Sequence, residues 1–298
     1  DNRGNLCHGA AKDLVQEEMI LAYRKRSLSR RIAVYVCVLL VLSFILSPYI
    51  LGIVTSFETE VELVRRPPFP FKPITPVLDN YIYILSYKPF ALAFIDSALV
   101  AITTTCFVMI AGSMGAFAIA HLRFRGRNFL FNFVVVVYML PALAMLIPIV
   151  VLLKELTLLD TIIGMVFAHS ILLLPLMTWF LVGIFEGVPP DILEAMQLDG
   201  TSRLKSLFRE VIPLSRFGFF LILVFSFVTS WNDLMFANTV GIVQVKLLQP
   251  RILEFMSGAR VLFTQMAAAG ILSSLPVVVL AIVLQKQIIA GIMKGAIK

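Results

Sequence analysis

PPDILEAMQLDGTSRLKSLFREVIPL, residues Pro189 to Leu214, is a charged island in a greasy chain. Asp191, Glu194, Asp199, Arg203, Lys205, Arg209 and Glu210 fall inside it, whereas the 298-residue chain is 59% hydrophobic and only 14% charged. Average usage devotes about 25% of residues to charge, so this composition suits a protein whose solvent is largely lipid. The island marks a place where the lipid stops.

Outward from it, apolar runs long enough to cross a bilayer, about 20 residues each, number six: Ile32 to Val54, Ala91 to Ala120, Phe129 to Leu153, Ile162 to Phe185, Phe217 to Ala237 and Met266 to Leu284. None shows the strand alternation of an outer-membrane barrel, so helices are expected. The fold class is an all-α polytopic membrane protein with six transmembrane helices, and the island joins helices four and five. Basic residues set its orientation, because Lys and Arg beside membrane helices are retained on the cytoplasmic side. With the N-terminus inside, 17 of the 25 Lys and Arg residues lie inside and eight outside. Both termini and the island are then cytoplasmic. The opening segment, residues 1–31, places Arg24, Lys25, Arg26, Arg30 and Arg31 against a 23-residue apolar run, which reads as an uncleaved anchor rather than a secretory signal. Leu14, Val15, Met19 and Ile20 fit either a short interfacial helix or a disordered tail.

The island itself reads as helix, turn, helix. Pro189 and Pro190 end the incoming span, and Asp191 is placed to cap a new helix carrying Ile192, Leu193 and Met196 on one face. Asp199-Gly200 supplies the left-handed end. A second helix begins near Thr201 or Ser202, repeats Leu204, Leu207, Phe208 and Val211 at i, i+3, i+4 and i+7, and stops at Pro213. A helix resting on lipid headgroups carries a similar stripe, but its polar face is rich in Lys and Arg. Here acids and bases interleave, which suits a protein partner better.

Catalytic motifs are missing from the sequence. Cys7, Cys37 and Cys106 have neither metal nor disulfide spacing, and His8, His121 and His169 stand apart with no HExxH pair. No Gly-Lys pair occurs, which excludes a Walker A phosphate loop. Any ATP that drives this protein is bound by another chain, and neither metal nor nucleic acid is expected.

"EAMQLDG" followed by "IPL" resembles the EAA loop of bacterial ABC importer permeases. So do "MLPALAMLIP" (Met139 to Pro148), "LLDTIIG" (Leu158 to Gly164), "LLPLMTWFL" (Leu173 to Leu181), "SWNDLMFA" (Ser230 to Ala237) and the tail "LPVVVLAIVLQKQIIAGIMKGAIK". The resemblance covers roughly Ser56 to Lys298, in the order found in carbohydrate-importer permeases of the maltose and glycerol-phosphate type. Met196 stands where the family has its second Ala, and Phe217 where a Pro is frequent. The resemblance implies a division into a cytoplasmic segment, 1–31, and a transmembrane domain, 32–298, with a coupling loop at about 186–214. It implies that the hairpin is a coupling helix docked on an ABC ATPase subunit through Asp191, Glu194, Ala195, Asp199, Gly200 and Arg203. It also implies a second permease subunit, an extracytoplasmic solute-binding protein, ATP and Mg held by the ATPase, and residence in the bacterial cytoplasmic membrane. The protein would then be a non-catalytic subunit.

The rival class, a transporter driven by an ion gradient, usually needs ionisable groups near the bilayer midplane. Only Asp96 and Asp233 lie inside the apolar runs, each near a helix end. A sugar path is expected against helices three to five, with Trp231 and Asn232 near its outer end and His169 deeper; Ser170 and Trp179 also fit a sugar. For His169, Ser170, Trp179 and Asn232 the favoured reading is an interhelical tie. Gly112, Gly115 and Ala116, and Ala267 to Gly270 with Ser273 and Ser274, read as small-residue packing faces. Pro141, Pro148, Pro175 and Pro276 read as kinks. The Pro-rich "RRPPFPFKPITP" reads as a stiff outer segment, followed by a short amphipathic piece from Asn80-Tyr81.

Overall fold

The computed structural model describes residues 32–65, 76–256 and 261–296. Residues 1–31 and most of the Pro-rich stretch, for which a tail or interfacial helix and a stiff segment are expected, lie outside the described residues. The chain runs through α1 (Ile32–Ser56), α2 (Glu60–Arg65), α3 (Asp79–Ser86), α4 (Lys88–His121), α5 (Arg127–Met139), α6 (Ala142–Glu155), α7 (Ile162–Phe185) and α8 (Pro190–Leu198). It continues through α9 (Arg203–Ser206), a π turn (Leu207–Val211), α10 (Ile212–Leu214), α11 (Arg216–Trp231), α12 (Met235–Val240), α13 (Leu248–Leu253), a 3-10 turn (Glu254–Met256) and α14 (Phe263–Ala296). No strand occurs among the described residues.

Helices α1, α4, α7 and the Phe263–Gln285 part of α14 are each long and apolar enough to cross a membrane unbroken. Two further spans are bent pairs, α5 with α6 at 98° and Arg203–Leu214 with α11 at 92°, so the expected six is reached only when each pair counts as one. Two of the expected runs need correction. The run Phe129 to Leu153 is broken rather than kinked: Leu140 is extended (φ −65°, ψ 131°) because the ring of Pro141 disfavours a helical residue before it. Pro148, Pro175 and Pro276, by contrast, are carried inside α6, α7 and α14. The run Phe217 to Ala237 stops at Trp231, and a separate α12 follows whose Ala237 N–H is taken by Asp233 Oδ2 at 2.9 Å.

Helix α4 packs along α7, and Gly112 lets them close: a Cβ there would lie 3.3 Å from Thr178 Oγ1. Ala116 is fully buried at the same face, as the small-residue pattern predicts. The other small-residue face holds too, with Ala268 and Ala269 buried and the Trp231 indole donating to the Ser273 carbonyl at 3.0 Å.

Chain direction sorts the bundle into two ends. The C-terminal ends of α4 and α7 meet at one end, where the Arg127 guanidinium lies 3.6 Å from Glu186 and the hairpin follows. At the opposite end lie the starts of α4, α7 and α14, with α3, α12 and α13. There Ser97 Oγ accepts the Leu248 N–H at 2.7 Å, and Glu60 Oε1 accepts the Thr264 N–H at 2.7 Å. Asn80, in the expected amphipathic piece, is buried and donates to the Ser56 and Glu58 carbonyls at 2.9 and 2.8 Å.

Candidate functional site

The hairpin is welded to the bundle on one side and bare on the other. Leu193, Leu207 and Val211 are buried with Phe117, Ile119, Phe185, Val188 and Ile222. The stripe expected over the second helix is only half buried, since Leu204 and Phe208 are exposed. The reason is local: the π turn at Leu207–Val211 widens the helix and turns the repeat off register. Helical structure also persists past Pro213, which lacks an N–H to donate, and ends at Ser215.

Asp191 does not cap α8. The cap position is Pro189 with Pro190 as first helical residue, so Asp191 sits in the first turn and favours the helix by charge alone. The second start is as expected, with Ser202 Oγ accepting the Lys205 N–H at 3.4 Å. Gly200 has φ +75°, and a Cβ there would touch nothing within 4 Å. Backbone conformation, not space, therefore demands glycine. Asp191, Glu194, Ala195, Asp199 and Arg203 are exposed on this hairpin, and the three acids enter no ion pair among the described residues.

The three residues expected along a solute path are placed differently from one another. His169 is 2% exposed; its Nδ1 lies 2.8 Å from Ser230 Oγ and its Nε2 3.3 Å from Asp233 Oδ2, tying α7 to the end of α11. Trp231 is 2% exposed and packed, stacked on Phe227 and edge-on to Phe94. Asn232 is exposed, with Nδ2 donating to the Val228 carbonyl at 3.0 Å and Oδ1 only 3.5 Å from Gln249 Nε2. The structure thus joins His169 to Asp233 and leaves Asn232 on the open side.

Sequence reasoning quoted "LLDTIIG" without seeing what its aspartate does. Asp160, between α6 and α7, accepts four consecutive N–H groups across more than 80 residues: Ile242 (2.9 Å), Val243 (3.0 Å), Gln244 (2.8 Å) and Val245 (3.1 Å). Burial pushes its carboxyl pKa up, but the four donors outweigh this and hold it below the ordinary value. The clamp is tight around it: a Cβ on Gly164 would collide with the Leu158 carbonyl, and one on Gly241 with the Val245 carbonyl. Glu60 and Thr264 were also missed, since nothing in the sequence links residues so far apart.

These features define an all-helical polytopic membrane protein that carries a charged, exposed hairpin between its apolar helices. Residues 108–294 match the family described as binding-protein-dependent transport system inner membrane component, and the chain belongs to that family. It is a multi-pass inner-membrane component of a transport system. Among curated relatives, it is 28% identical to the sulfoquinovosyl glycerol transport system permease protein SmoH of Agrobacterium fabrum, over 85% of this chain and 89% of that one. It is 27% identical to the trehalose transport system permease protein SugB of Mycobacterium tuberculosis (76% and 84%). It is also 27% identical to the trehalose/maltose transport system permease protein MalG of Thermococcus litoralis (90% and 97%). Among solved structures, a bacterial ABC transporter involved in import of the acidic polysaccharide alginate shares the fold at TM-score 0.70 and 21% identity, covering 87% of this chain and 97% of that one. The family is one of ABC-type import systems, which sets aside the ion-gradient alternative.

Proposed function

We propose that this chain is one membrane-spanning subunit of an ATP-driven importer that moves a carbohydrate into a bacterial cell by alternating access. The hairpin and both termini face the cytoplasm, and the hairpin seats on a separate ATPase subunit that holds ATP and Mg. Asp191, Glu194, Ala195, Asp199, Gly200 and Arg203 form the contact. Among the described residues one such hairpin is present, so a second permease subunit engages a second ATPase, and an extracytoplasmic binding protein delivers the solute. The relatives named for sulfoquinovosyl glycerol, trehalose and maltose support a carbohydrate cargo.

The observation that carries this reading is the hairpin's asymmetry. Buried Leu193, Leu207 and Val211 make it move with the bundle, while Asp191, Glu194 and Asp199 enter no ion pair among the described residues. A rigid connector with an unsatisfied charged face transmits a partner's closure into a rotation of the helices, and two packings differing by a few kcal/mol suffice. The test is to identify the proteins that copurify with the full chain in mild detergent, and to repeat with Glu194→Lys. An ATPase retained by the wild type and lost by the variant is the expected result. A chain that copurifies with no ATPase defeats the proposal.

A further inference from the structure

An aromatic row crosses three helices on the open side of the bundle. Tyr138 on α5 stacks near Trp179 on α7 (ring centroids 6.0 Å), Trp179 stacks with Phe180 (5.3 Å), and Phe180 meets Phe225 on α11 edge-on (6.3 Å). All four are exposed, between 37% and 47%. Along α11 the stripe Phe225, Thr229, Asn232 recurs at helical spacing, and each member is exposed. The row is therefore followed along one exposed face by a hydroxyl and an amide, and the amide in turn approaches Gln249.

We propose that this row lines the aqueous solute path and offers the pyranose ring of a carbohydrate its stacking face, with Thr229 and Asn232 continuing the path toward the end away from the hairpin. The proposal rests on the importer reading above and names where in this chain the cargo is met. Two observations point to water and solute rather than lipid. The first is the α5–α6 break: Leu140 and Pro141 leave helical geometry two residues after Tyr138, inside an apolar span. Non-helical backbone at membrane depth is tolerated where protein or a water-filled cavity satisfies it, not against lipid tails. The second is chemistry. A pyranose presents C–H groups on one face and hydroxyls at its rim, so it needs the electron-rich face of an aromatic ring beside hydrogen-bonding groups. The row supplies both on one surface. By contrast His169 and Trp231 are enclosed: His169 Nδ1 pairs with Ser230, its Nε2 lies 3.3 Å from Asp233, and the Trp231 indole donates to the Ser273 carbonyl.

The test uses the full chain in its assembled complex in vesicles, with Cys7, Cys37 and Cys106 replaced by serine and single cysteines introduced as Phe225→Cys or Thr229→Cys. A charged, membrane-impermeant maleimide is the probe, and Ile110→Cys, at an exposed apolar position well inside the long helix α4, is the control. Labelling of both path positions at least about tenfold faster than the control, with rates that differ between nucleotide-free and ATP-trapped complexes, is the expected result. Rates no faster than the control overturn the row, whether lipid or a partner helix covers it. Thr229→Cys is nearly isosteric, so it keeps the test open if Phe225→Cys lowers assembly. Retention of the ATPase in the same preparations reports on the importer reading separately, so loss of one result does not count against the other.

Discussion

At the end of the bundle away from the hairpin, several acids answer to groups of their own chain: Asp160 to four N–H groups, Glu60 to Thr264, Asp233 to Ala237. Glu254 there is bridged by Lys246 and Arg251 at 2.6 Å each; burial raises its pKa, and the two cations more than reverse the shift. At the hairpin end Asp191, Glu194 and Asp199 stand in the open. The contrast teaches that a carboxylate answered within the chain maintains the shape of the subunit, while one left open is available to another molecule, the role proposed above for the hairpin. A charge left solvated costs nothing until a partner arrives, and then it supplies register and discrimination.

The largest expected effect breaks the contrast at the hairpin. Glu194→Lys reverses a charge at the proposed contact, and like-charge juxtaposition across an interface costs several kcal/mol. ATPase retention should fall by about tenfold or more, read as the ratio of copurified subunits, with membrane insertion unchanged. Gly200→Val acts through the backbone instead. A left-handed residue with a Cβ costs about 1–2 kcal/mol, so the turn should shift even though nothing lies close enough to clash. Equal retention in both variants would remove the hairpin from the coupling role.

Next in size is the opposite end. Asp160→Ala strands four N–H donors, and after allowance for the solvent around this part-buried loop the loss is about 2 kcal/mol. Thermal unfolding should move down by several degrees while ATPase retention holds, the reverse of Glu194→Lys. The pH dependence has a definite sign. Because the folded pKa is depressed, the clamp contributes in full above the ordinary Asp value of 3.8 and weakens as pH falls below it toward the folded pKa. Stability attributable to Asp160, measured as wild type minus Asp160→Ala, should therefore be flat at neutral pH and shrink only under strong acid. A difference that changes near neutrality would mean the clamp is not what Asp160 does.

Smaller again is Trp231→Phe, which keeps the stack with Phe227 but deletes the bond to Ser273. A single neutral hydrogen bond is worth about 1 kcal/mol, and the buried carbonyl left behind sets the cost at the upper side of that. The readout is complex yield and melting temperature, with solute affinity unchanged. An affinity change without a stability change would place the indole in the path after all.

How much of this was legible in the sequence follows the range of the physics involved. The hairpin was legible because its signals are local: Pro-Pro, Asp-Gly and a helical apolar stripe all act within a few residues. The span count was less so. Pro141 and Pro148 look alike in sequence, yet Leu140 before the first is extended and ends α5, whereas the second is carried inside α6. The clamp was illegible because Asp160 and Gln244 meet only once α7 and α12 are packed. The aromatic row was illegible for the same reason: Tyr138, Trp179 and Phe225 share no sequence period, and only the folded bundle aligns them. The π turn illustrates the converse, since one extra residue in the helix left Leu204 and Phe208 outside a core that a strict repeat assigns them to.

The smallest expected effect is also the one that sharpens the comparison most. Asn232 sits at the self-satisfied end but is itself exposed, with one bond back to its own helix at Val228 and a long one to Gln249. A bond to an i−4 carbonyl in solvent contributes little, so Asn232→Ala should change stability by no more than about 0.5 kcal/mol. An interhelical tie would predict more. If Asn232 instead meets a sugar hydroxyl, removing it leaves that hydroxyl without its partner at a cost of about 1 to 3 kcal/mol, which is about five- to 150-fold in affinity. The measurement is half-saturating solute concentration and solute preference in the assembled transporter, beside complex yield. His169→Ala is the contrast. Its imidazole is enclosed and holds α7 to α11 through Ser230 and Asp233, so its loss should appear in yield first. Affinity shifted by Asn232→Ala with yield intact, and yield lowered by His169→Ala, would put the path on the exposed face of α11. Unchanged affinity and preference in both variants would move the solute path to the partner permease.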